Sequence, residues 1–145
     1  MTNLTLVLCM LCAGLTVAVQ PSINARLAQR VGAYESSMIS FAVGTLALLV
    51  VVMFAGRGNL RGIAAASWWE LTGGLLGAFF VTMTIITVPR LGTAAVMAMV
   101  ITGQLIAGAL IDHFNLFGMR HLPLTPLRLV GMMLLAAGAA LIVKR

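Results

Sequence analysis

Residues 91–111 read LGTAAVMAMVITGQLIAGALI, 21 positions without a charged side chain. About 20 predominantly apolar residues in a helix cross the hydrocarbon core of a bilayer, so this stretch is long enough to span a membrane by itself. It is also the stretch that carries the amide Gln104 and leads into Asp112, in GQLIAGALIDHF at 103–114.

Working outward, the same pattern recurs. Apolar runs bounded by charge, Pro or Gly place helices at about 4–24, 36–55, 69–88, 91–111 and 127–143. Composition agrees: 61% of the 145 residues are hydrophobic, 8% are charged and mean hydropathy is +1.11. The expected fold is an all-α integral membrane bundle of five transmembrane helices, forming a single domain over 1–145. The first run is short for a span, and it reaches full length only by continuing through Gln20, Pro21 and Asn24. Pro21 is then expected to kink or end that helix. The run reads as a retained helix and not a signal peptide, because it lacks a basic leader and equally apolar segments follow.

Nine Lys and Arg stand against three Asp and Glu, for a net charge of +6. The basic residues are scattered between the apolar runs and form no patch, so they read as topology signals and not as a nucleic-acid surface. Five spans put the termini on opposite sides. Arg57, Arg61, Arg120 and Arg128 then fall on one side, and Arg26, Arg30, Arg90, Lys144 and Arg145 on the other. Four against five is a weak orienting instruction, which leaves open either one orientation or insertion in both. The second case gives an antiparallel homodimer, the arrangement that larger transporters encode as inverted repeats.

Cys9 and Cys12 have the C-x-x-C spacing but no neighbour that would activate a thiol, and they read as packing residues. No nucleophile and base pair, metal-ligand spacing or phosphate-binding loop is present, so neither enzymatic chemistry nor a metal or other cofactor is expected.

Polar groups inside the spans are costly unless paired or open to a cavity, which makes each a functional candidate. Gln104 falls near the midplane of the fourth span. Gln20 and Asn24, four apart, share a helix face, and Ser40 lies in the second span. These four are the candidates for a solute pathway, with interhelical hydrogen bonding as the alternative for each. Ser36 or Ser37 is expected to cap the second helix. Asp112 closes the fourth helix on the unfavourable end of its dipole. It is therefore either paired with an arginine, Arg120 or Arg128, or acts as a gate or titrating group during transport. Gly73, Gly77, Gly103 and Gly108 have the small-residue spacing of close helix packing.

Several of these residues together carry a family resemblance. They are Gln20, Asn24 with Arg26-Leu27, Ser40-Phe41 with Gly44, Gly73-Gly74-x-x-Gly77, Pro89-Arg90-Leu91-Gly92, and Gly103-Gln104 followed by Ile111-Asp112-His113-Phe114. Over nearly its whole length the chain resembles the small bacterial five-helix proteins of the drug/metabolite transporter superfamily, which are labelled inner-membrane exporters. The resemblance implies a bundle similar to half of an EamA-type transporter, which needs a second copy to enclose a pathway. The family pattern has Gly after the Phe of I-D-H-F, where this chain has Asn115, the residue next most tolerant of a left-handed helix cap. The expected function is a bacterial inner-membrane transporter subunit that moves a small-molecule solute as a homodimer in the lipid bilayer. A non-transporting accessory subunit and a small channel share the same composition.

Overall fold

The computed structural model describes residues 2–118 and 121–144. Five α-helices are long and apolar enough to cross a membrane: α1 (Asn3–Val31), α2 (Ala33–Ala55), α3 (Gly73–Leu91), α4 (Thr93–Phe114) and α5 (Pro126–Val143). The described residues contain no strand. The chain divides into two compact units, Met1–Arg90 and Leu91–Arg145.

In the first unit α1 runs 29 residues, well past Asn24. At 1.5 Å per residue that is about 43 Å, more than a bilayer core of about 30 Å requires. Pro21 does not end the helix. Its ring is fully buried and it removes one donor, the N–H that would bond the Val17 carbonyl four residues earlier. Ala25, Leu27 and Ala28 are good helix formers and carry the helix on.

A single residue, Gly32, then reverses the chain at φ 102°, a conformation that side chains rarely adopt. Thus α2 begins at Ala33, not at Ser36, and has Glu35 in its first turn. Ser36 and Ser37 therefore do not cap the helix. They lie inside it, 0% and 5% exposed, and bond across to neighbouring helices. After α2 come two short 3-10 segments, Leu60–Ala65 and Trp68–Thr72. The second opens on a capping box in which Ser67 and Glu70 satisfy each other's backbone N–H groups. In α3, Gly77 is where the Phe41 ring of α2 comes close, 3.2 Å from the place a Cβ would occupy.

In the second unit Gly92, at φ 84°, starts α4, and Asn115 ends it in the left-handed conformation (φ 50°, ψ 40°) with its N–H on the Ile111 and Asp112 carbonyls. The cap expected of Asn in place of Gly is thus formed. Thr125 caps α5, whose first residue is Pro126, a position where the missing N–H costs nothing. Of the most apolar windows of α1, α2 and α5, only 6%, 0% and 6% is buried, so these surfaces face lipid or another chain and not an internal core.

Candidate functional site

Two places gather the polar residues. The first lies around Asn24, which is 7% exposed. Its Nδ2 donates to Ser40 Oγ at 3.1 Å, and its backbone carbonyl accepts from Ser36 Oγ at 2.8 Å. Asn24 and Ser40 lie eight residues on either side of Gly32, so the reversal itself brings them together. Ser37 Oγ accepts from Thr82 Oγ1 of α3 at 2.9 Å, which extends the polar seam to a third helix. On α1 alone, Gln20 and Asn24 line an open groove of about 430 Å³ with Leu15, Thr16, Val19 and Ile23. Replacing Asn24 and Ser40 with Ala singly and together is expected to give a coupling of about 0.6 kcal/mol, the average for such bonds between membrane helices. A double-mutant cycle read from unfolding in detergent measures it.

The second place is a groove of about 330 Å³ between α4 and α5. Gln104, Gly108 and Asp112 line it from α4, and Arg128, Gly131 and Leu135 from α5. Arg128 Nη2 donates to Asp112 Oδ2 at 2.7 Å, with the two side chains 36% and 33% exposed. Of the two arginines expected from the sequence, Arg128 is this partner; Arg120 lies outside the described residues.

The same corner is tied to the connection before α5. Arg128 Nη1 donates to the Leu122 carbonyl at 2.9 Å, and the Leu122 N–H donates to the Asp112 carbonyl at 3.0 Å. The Leu124 N–H donates to His113 Nδ1 at 3.3 Å. Segment 121–125 is thereby held over the end of α4.

The side-chain amide of Gln104 makes no hydrogen bond among the described residues. A side chain added at Gly73, Gly103 or Gly108 would meet nothing within 4 Å, so within the described residues Gly77 alone of the four marks a close helix approach. The sequence gives no sign of Gly131 and Leu135 as the opposite wall, since it does not say which face of α5 meets α4. The pairing of Ser37 with Thr82 depends on α2 starting at Ala33, three residues before the start that its apolar run suggests. Gly32 directly before Ala33, with Glu35 three residues after it, is the signal that marks the true start.

Five apolar helices with few charges define a multi-pass membrane protein. The comparisons identify its class. A model of the family described as "Putative inner membrane exporter, YdcZ" matches residues 5–141, and the chain belongs to this family of bacterial inner-membrane transport proteins. It is similar to the inner membrane protein YdcZ of Escherichia coli (strain K12), with 31% identity over 146 aligned residues that cover 94% of this chain and 93% of the relative. No solved structure matches.

Proposed function

We propose that the chain is a transporter subunit that works as an antiparallel homodimer and moves a small metabolite or drug-like solute out of the cell by alternating access. In this reading Gln104 contacts the solute and Asp112, held by Arg128, is the gate. Gln20, Asn24 and Ser40 belong to a further part of the pathway, Gly73 and Gly103 are free to pack against the second copy, and Gly108 leaves room in the groove. The observation that carries it is the amide of Gln104. It stands in the middle of an apolar span, on an open groove, with no partner among the described residues. A polar group at that depth needs a wet cavity or another chain. The near balance of basic residues, four against five, supports insertion in both directions.

Mass spectrometry of the medium around bacteria that overexpress the chain tests the export. At least one small solute is expected to rise several-fold over cells with an empty vector. If no solute differs, the reading is wrong. For the antiparallel arrangement, C-terminal fusions to a cytoplasm-active and a periplasm-active reporter are expected both to give signal. Activity of one reporter alone excludes it.

A further inference from the structure

Asp112 and Arg128 each stand at the end of a helix that opposes their charge. Asp112 is in the last turn of α4, the partly negative end of that helix. Arg128 is in the first turn of α5, the partly positive end of that helix. Each helix end therefore reinforces the charge of its own residue. One side of the groove's mouth is negative, the other positive, and the bond of 2.7 Å joins them. Both side chains are about one third exposed, so a solute reaches them without unfolding a helix.

We infer that the groove takes a zwitterionic solute, one with both an ammonium and a carboxylate group, whose charges replace Asp112 and Arg128 as each other's partners. The ammonium binds the Asp112 carboxylate and the carboxylate binds the Arg128 guanidinium. This rests on the reading of the groove as a solute site and names its substrate class. A solute with one charge would pair with one residue and leave the other alone on the helix end that opposes it, which is unfavourable. A neutral solute has nothing with which to part the pair. A zwitterion matches both charges and leaves the net charge of the site unchanged.

The guanidinium can make the exchange without releasing the segment before α5. Nη2 holds Asp112 while Nη1 holds the Leu122 carbonyl, so freeing Nη2 leaves the second bond in place. Gln104 is eight residues from Asp112, about 12 Å along α4 at 1.5 Å per residue. Between them the wall is apolar, with Leu105 and Gly108 facing Leu135. The volume of about 330 Å³ is at the small end of ligand sites, which run to about 1,000 Å³. These dimensions suit a small metabolite with its charged head at Arg128, an apolar middle and a polar tail at Gln104.

The test compares the medium of cells expressing the wild type, Gln104→Leu, and the exchanged pair Asp112→Arg with Arg128→Asp. Solutes that are at least tenfold more abundant with the wild type than with Gln104→Leu are sorted by their charge at pH 7. They are expected to carry both an ammonium and a carboxylate group. The exchanged pair restores an ion pair and puts each charge at the helix end that favours it. It loses the bond to the Leu122 carbonyl but is expected to stay folded in detergent, more stable than Arg128→Gln, yet to export these solutes at the Gln104→Leu level. Wild-type export by the exchanged pair would reduce Asp112 and Arg128 to a structural bolt and overturn the inference. A Gln104-dependent set of singly charged or neutral solutes would also overturn it, while the export reading stands. If no solute depends on Gln104, the groove is not a solute site and both fall. Should the exchanged pair fail to reach the membrane, the charge class of the exported solutes decides alone.

Discussion

Replacing Gln104 with Leu is expected to abolish export, by about 100-fold or more, while the protein still enters the membrane at the wild-type level. Gln104 is the twelfth of the 22 residues of α4, so it lies near the bilayer midplane. Leu is a good helix former of similar size and is more favourable in lipid, and no bond among the described residues is lost with the amide. The fold therefore has no reason to suffer. What disappears is a donor and an acceptor on the groove, where a site built to bond a polar group loses several kcal/mol of discrimination without it. Quantifying the solute in the medium against the amount of membrane-inserted protein separates the two effects. Loss of both together would mean that Gln104 holds helices together, within the chain or between copies.

Breaking the pair of Asp112 and Arg128 is expected to damage both stability and export, and unequally. A hydrogen bond to a charged group contributes about 1.5–3 kcal/mol. Arg128→Gln leaves the Asp112 carboxylate alone on the negative end of α4 and also removes the bond to the Leu122 carbonyl that holds segment 121–125. Asp112→Asn leaves that second bond of Arg128 intact, and the Asn amide still offers an acceptor. Arg128→Gln should therefore lower the unfolding midpoint in detergent more than Asp112→Asn does. Equal effects would show that the link to the connecting segment contributes nothing.

These expectations concern a site that was half legible in the sequence. Gln104 and Asp112 stood out because a polar residue in an apolar run is conspicuous, and their spacing of eight put them on one helix face. Arg128 was legible as a partner because a carboxylate at a helix C-terminus needs a cation. Its second role, holding segment 121–125, depends on how that segment folds back, which no local pattern encodes. The five helices were legible from apolar length alone, but their ends were less so. Arg26 and Arg30 made the last turns of α1 look like a loop, although a single missing donor at Pro21 is too small a loss to stop a long helix. The three serines at 36, 37 and 40 looked like a helix start, because hydroxyls favour caps. They are instead the bonding face of a helix that Gly32 had already begun. Helix existence follows from composition, whereas the partners of buried polar groups follow from tertiary packing.

The central claim, that the chain carries solute through a groove containing Gln104, is tested most directly by counterflow. The purified protein is placed in liposomes loaded with the solute that it raises in the medium, and labelled solute is supplied outside. A carrier gives saturable uptake that is accelerated by the solute inside and absent with Gln104→Leu. Flux that rises linearly with concentration, or counterflow that persists with Gln104→Leu, would contradict the account.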